Sequence, residues 1–110
     1  MSNNIAKYIR AGKPLSTREQ LAVILSIDYC LSSGLPIVEV IERLRSFEAN
    51  DVKRNLLNNV KTDIQNDVPF HEVMVKTGFF DAEVEDILLA VQNPEQALKA
   101  SIRFINLVYN

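Results

Sequence analysis

The sequence predicts an all-α fold, an antiparallel bundle of five to six short helices, and three observations carry that prediction. Apolar residues recur at helical spacing along most of the chain, as in Ile37, Val40, Ile41 and Leu44. Helix-start and helix-stop chemistry punctuates these runs at intervals of 10 to 20 residues. No stretch combines period-two alternation with β-branched enrichment, so no strand is expected.

Taken in order, residues 1–14 read as an N-terminal arm and residues 15–110 as the helical domain. In the arm, Ile5 and Ile9 are four apart and would share one face of a helical turn, with Tyr8 beside them. Lys7, Arg10 and Lys13 make it the most basic part of the chain, and the expectation is a loosely docked terminus. The first helix opens with a capping box, Ser16 with Glu19. Its residues Leu21 to Leu25, Ile27, Cys30 and Leu31 cover more than one face, which predicts a central position in the bundle. Asp28 interrupts the run and is expected at a narrow exposed edge or an intersubunit contact.

Ser33-Gly34-Leu35-Pro36 then makes a tight corner. Gly34 closes one helix in the left-handed conformation, and Pro36 opens the next with a fixed φ and no N–H to lose. The second helix runs from about Pro36 to Ser46, and burying its four-residue stripe contributes on the order of 6–12 kcal/mol before chain entropy is subtracted. Glu39, Glu42, Arg43 and Arg45 form its other face, with Glu39 and Arg43 at pairing distance. Asn50 or Asp51 caps a third helix with Val52, Leu56, Leu57, Val60 and Ile64 inward, and Asn66-Asp67 stops it. Pro69 opens a short helix carrying Phe70, Val73 and Met74, ended by Gly78. Phe79-Phe80 leads to Asp81, the expected cap of a fifth helix with Val84, Ile87, Leu88 and Val91 inside. Asn93-Pro94-Glu95-Gln96 starts the last helix, whose inner face is Leu98, Ile102, Ile105 and Tyr109.

Composition excludes more than it selects. The chain has 110 residues, 47% hydrophobic and 24% charged, and a net charge of −2, which suits one globular domain and gives no basic excess for nucleic acid or anionic lipid. The longest unbroken apolar runs, Leu21 to Leu25 and Ile87 to Val91, fall far short of a membrane span. A single cysteine, Cys30, precludes an intrachain disulfide. Cys30 and the lone histidine, His71, are the one nucleophilic arrangement available, and both read better as structural residues. Asp81, Glu83, Glu85 and Asp86 are the densest acidic group, but their spacing is not that of a calcium loop, and acids suit a helix N-terminus. No enzyme activity, metal or cofactor is expected. The two helices around Gly34 could pass for a helix-turn-helix, but Glu39 and Glu42 would repel phosphates.

The corner also carries a resemblance. Leu21-Ala22, Leu31-Ser32-Ser33-Gly34-Leu35-Pro36-Ile37, Val40-Ile41 and Leu44 resemble the first cytoplasmic domain of GspF/PilC-type proteins, the inner-membrane platform of type II secretion and type IV pilus assembly. Downstream, Asn50, Leu56, Ile64, the turn at Asp67, Phe70, Val73-Met74 and Phe80 follow the order of that family's helices, so the likeness spans about residues 20–106. The family's turn glycine is Asp67 here, its serine-leucine-serine is Pro69-Phe70-His71, and its Gly-Glu pair falls on Val91-Gln92, which cannot supply a metal-binding charge. These departures, with Pro94, suggest a divergent pilus-assembly branch.

The resemblance implies a non-enzymatic domain on the cytoplasmic face of the bacterial inner membrane, tied to the membrane by segments outside this chain. The increasingly apolar stretch Phe104 to Tyr109 is read as approaching such a segment. The implied partners are the assembly or secretion ATPase, other inner-membrane assembly proteins and, on one bundle face, a second copy. Gly34, Leu35, Pro36, Phe70, Gly78 and Phe80 are the structural motif, and Arg18, Glu39, Glu42, Arg43 and Arg45 are the candidate partner contacts. Two alternatives are a helical DNA-binding regulator and a generic cytosolic adaptor.

Overall fold

A computed structural model describes residues 5–8 and 14–109. Six helices follow in order: α1 (Thr17–Ser32), α2 (Ile37–Phe47), α3 (Asp51–Gln65), α4 (Phe70–Lys76), α5 (Ala82–Ala90) and α6 (Pro94–Tyr109). No strand occurs among the described residues. Each helix packs against its neighbours in the chain, and the extensive contact of α1 with α6 closes the series into a ring. The core fills the ring, with Ile24 and Ile27 from α1, Val40 and Ile41 from α2, Leu56 and Val60 from α3, and Leu88, Leu98 and Ile105 from α5 and α6.

Local chemistry sets most boundaries. Ser16 Oγ accepts from the Glu19 N–H, and Glu19 Oε1 accepts from the Ser16 N–H, a complete capping box. The Ser16 hydrogen bonds hold the Glu19 carboxyl below the usual carboxylate range. Asn50 Oδ1 accepts from the Lys53 N–H and Asn93 Oδ1 from the Gln96 N–H, so both asparagines cap as expected. Asp81 stands at the N-cap of α5, but its carboxylate accepts no capping bond. Its N–H is instead taken by Gln20 Oε1 at 3.2 Å, and the Gln20 amide donates to the Leu15 carbonyl. A buried glutamine on α1 thereby fixes the start of α5.

Two corners are built alike. Past α1, the Leu35 N–H reaches the Cys30 carbonyl and the Gly34 N–H the Leu31 carbonyl, the paired bonds of a Schellman motif, with Gly34 at φ +86°. Past α3, Val68 and Asp67 make the same two bonds to Asp63 and Ile64, with Asp67 at φ +66°. A proline follows each, and Pro36 and Pro69 take the N-cap position, one residue earlier than the first helical turn expected for them. Pro94 does occupy the first helical position of α6. After α4, Gly78 at φ +70° bonds back to Val75, while the Phe79 N–H finds the Thr77 hydroxyl.

Several expectations are corrected. Residues 5–8 are not helical; the expected shared face of Ile5 and Ile9 depends on Ile9, which with Arg10, Gly12 and Lys13 lies outside the described residues. Asp28 is neither a bare edge nor free: its carboxylate is half-buried and pairs with Lys99 of α6 at 3.1 Å. Val52 and Tyr109, placed on inner faces by their spacing, are about half exposed. Cys30 is half-buried and packs against the core from its edge. The first helix is not enclosed by the bundle: only Gln20, Ile24 and Ile27 are buried, because the ring covers one side of it.

Candidate functional site

The charged outer face of α2 is the site the sequence singles out, and the structure divides its members. Val40 and Ile41 are buried and Ile37 and Leu44 half-buried, which turns Glu39 and Arg43 fully outward. Glu42 and Arg45 are not free in that way. Both are half-buried, Arg45 Nη2 donates to Glu42 Oε2 at 3.1 Å, and Lys61 of α3 pairs with Glu42 Oε1. The hydrogen bonds from Lys61 and then Arg45 hold the Glu42 carboxyl below its ordinary range. The ion pair on this helix is thus not Glu39 with Arg43, as spacing suggested, but a Glu42-centred clasp between α2 and α3.

Arg18 is exposed but belongs elsewhere, near Leu21, Ile105, Asn106 and Tyr109 at the end of α6. The five candidate contacts therefore do not form one site. Glu39 and Arg43 stay available for a partner, Glu42 and Arg45 serve the fold, and Arg18 sits on a separate surface.

Of the motif residues, Gly34 and Gly78 take the positive φ that their turns demand. Pro36 is exposed, Leu35 and Phe70 are half-buried, and Phe80 is buried against Phe79, their rings edge-to-face with centroids 6.2 Å apart. These residues shape the bundle, and of the six Gly34 and Pro36 are exposed.

Arg43 also lines an apolar cavity of about 280 Å³ between α1 and α2, with Ser26, Cys30, Leu44, Phe47 and Glu48. A neighbouring cavity of about 220 Å³ shares Leu44 and Glu48 with it and runs on past Ala22, Val23, Lys53 and Leu57. Phe47, at the rim, is 89% exposed. Cys30 shares the first cavity with Glu48, and no histidine lines either cavity. Among the described residues no group of histidine, cysteine, aspartate and glutamate could hold a metal ion. In the acidic group at the start of α5, Glu85 is buried and paired with Lys7 at 3.3 Å, while Glu83 and Asp86 are exposed.

The chain matches no family model, no curated protein and no solved structure. Among the described residues no helix is long and apolar enough to cross a membrane.

Sequence reasoning missed a second polar constellation. The Tyr8 hydroxyl donates to Asp63 Oδ2 at 2.6 Å, Lys76 Nζ binds the same oxygen at 2.5 Å, and Lys76 lies 4.9 Å above the Tyr8 ring. The Tyr8 N–H closes the arrangement on the Lys76 carbonyl at 2.7 Å. Lys76 and then Tyr8 hold the Asp63 carboxyl low, while burial and Asp63 push the Tyr8 hydroxyl well above the ordinary tyrosine range. This latch fastens the arm to the α3–α4 corner. It joins residues 55 positions apart, and nothing local in the sequence marks it.

Proposed function

We propose that this chain is the first cytoplasmic domain of a GspF/PilC-type inner-membrane platform protein, on a divergent pilus-assembly branch. In this reading the domain performs no bond chemistry. It docks the assembly ATPase and other inner-membrane assembly proteins at the cytoplasmic face, and membrane segments outside these residues anchor it.

The observation that supports the reading best is the corner at Gly34-Leu35-Pro36. That tripeptide is one part of a resemblance spanning about residues 20–106, and its residues form a complete helix-closing motif between two helices of a six-helix, all-α ring. The order of later turns, at Asp67 and Gly78, agrees with the same reading. Glu39 and Arg43 are the α2 charges that a partner could engage without dismantling the bundle.

The test is a pull-down of the hexameric assembly ATPase from the same cell, comparing the natural chain with the double variant Glu39→Arg/Arg43→Glu. Retention by the natural chain and loss with the variant, at unchanged circular dichroism, is the expected result. No retention at low or physiological salt would overturn the motor-docking role. Reversing Glu42 would be a poor control, since an arginine there would face Lys61 and Arg45 and loosen the clasp.

A further inference from the structure

Residues 5–8 are held to the bundle much as a peptide ligand is held by its receptor. None of the four is fully buried, and the apolar core, which runs from Ile24 to Ile105, draws on none of them. Their grip is polar and specific instead. Helix α4 ends at Lys76, so that carbonyl has no partner within its own helix, and the Tyr8 N–H fills it at 2.7 Å. The Tyr8 hydroxyl donates to Asp63 of α3, and its ring lies 4.9 Å from the Lys76 ammonium. The preceding Lys7 reaches the buried Glu85 of α5 at 3.3 Å. Three helices thus read two successive residues through a cation, a backbone donor, a ring face and a phenol.

From this we infer that the surface formed by α3, the end of α4 and α5 is a peptide-binding site for a basic residue followed by tyrosine. The chain's own arm occupies it as a displaceable strap, and a partner's segment of the same kind competes for it. Charge selects such a segment. Asp63 and Glu85 are the carboxylates of the seat, and Glu83 and Asp86 stand exposed on the same helix as Glu85, against the single cation of Lys76. The arm also underfills its seat. A hollow of about 350 Å³ is lined from the arm by Lys7, Tyr8 and Pro14, and from the turn into α5 by Gly78, Phe80 and Glu85. A segment with more bulk than the arm has room there.

Energetics favour an occupant that can leave. Detaching residues 5–8 unpacks no fully buried side chain of their own, so it is a local opening well below the free energy of global unfolding. The tether acts the other way, since a segment joined to its site by a short linker competes at roughly millimolar effective concentration. A free segment that fits only as well as the arm is therefore shut out at micromolar levels. One that also fills the hollow, or that a larger interface holds nearby, displaces the arm. The inference concerns this seat alone and does not depend on the platform-protein reading.

The test is fluorescence anisotropy of a labelled synthetic peptide of residues 1–14, titrated with the full 110-residue chain from about 1 µM to 1 mM. An opened chain, carrying Lys7→Ala and Tyr8→Ala, should keep its helical circular dichroism and bind the peptide saturably. The natural chain should bind it at least about tenfold more weakly, because its own arm competes. Tyr8→Ala in the peptide should weaken binding to the opened chain at least about tenfold, the loss typical of an aromatic anchor. A peptide of the same composition with lysine and tyrosine moved apart should bind no better than that. Both of these changes are in the peptide and leave the folding of the chain untouched. No binding by the opened chain, equal binding by the two chains, or equal binding of the rearranged peptide would overturn the inference. So would an opened chain that loses its helical signal, since the arm would then be part of the fold and not an occupant of it.

Discussion

The two proline corners, 33–36 and 66–69, share a backbone design and differ in everything attached to it. Each closes a helix with the same pair of N–H to carbonyl bonds, then an apolar residue, then proline at the next N-cap. The first uses glycine, and a Cβ built there would meet nothing within 4 Å. The second uses aspartate at φ +66° and sits directly against the latch of Tyr8, Asp63 and Lys76. Asp63 serves twice: its carbonyl accepts the Val68 N–H of the corner, and its carboxylate holds the arm. One corner is left bare, while the other is braced by residues from a distant part of the chain. The turn itself is therefore cheap to make, and cross-chain bonding is where the two diverge.

The largest effect should come from the brace. Asp63→Asn removes the charge that two donors share, and a loss of about 2 kcal/mol at neutral pH is expected by denaturant titration. The pH dependence has a definite sign. The folded Asp63 carboxyl titrates below its unfolded value, so its stabilisation is present above the ordinary aspartate range and fades as pH falls through the lowered folded value. The gap between natural chain and variant should therefore narrow in acid. A gap that widens in acid would mean the latch acts through something other than this carboxylate.

Next comes Gly34→Ala, expected to cost about 1 kcal/mol in the same titration. Since the site is open, that cost is backbone strain alone. A larger loss would show that the bare corner carries more than its turn. Tyr8→Phe keeps the ring over Lys76 and removes only the hydroxyl donor, so it should cost under about 1 kcal/mol. The smallest effect is a gain: Asp67→Gly relieves the left-handed aspartate and should stabilise by about 0.5 kcal/mol. If Asp67→Gly destabilises instead, the aspartate side chain supports the corner and the two turns are not equivalent. Calcium in the millimolar range should leave Tm unchanged for every variant, since the acids at the start of α5 are divided between burial and solvent.

What was legible in the sequence was local. Ser16 with Glu19, Asn50, and Asn93 with Pro94 announce helix starts because a side chain satisfies donors only two or three residues away. Gly34 and Asp67 announce stops because few residues tolerate positive φ. The stripe at Ile37, Val40, Ile41 and Leu44 announces one buried face for the same reason of short-range periodicity. The candidate site was legible only in part: Glu39 and Arg43 are open as expected, whereas Glu42 answers to Lys61, nineteen positions later.

Phe47 shows the limit of such reasoning. It continues the α2 stripe at the spacing of a buried residue, yet it stands exposed because the helix ends there and Glu48 turns to extended backbone. Leu25 likewise lies in an apolar run that implied an enclosed helix, and it faces outward with Tyr29 because the ring covers one side of α1.

The sequence by itself determined that this chain is helical, where its helices start and stop, and which residues line most of the core. Each of these depends on bonds and periodicities a few residues long. Only the tertiary structure decided that α1 and α6 close the ring, that Tyr8 and Lys76 converge on Asp63, that Glu85 is buried against Lys7, and which apolar residues stay outside. Those outcomes pair positions tens of residues apart, and they depend on how rigid helices fill one shared volume, which no short window of sequence encodes.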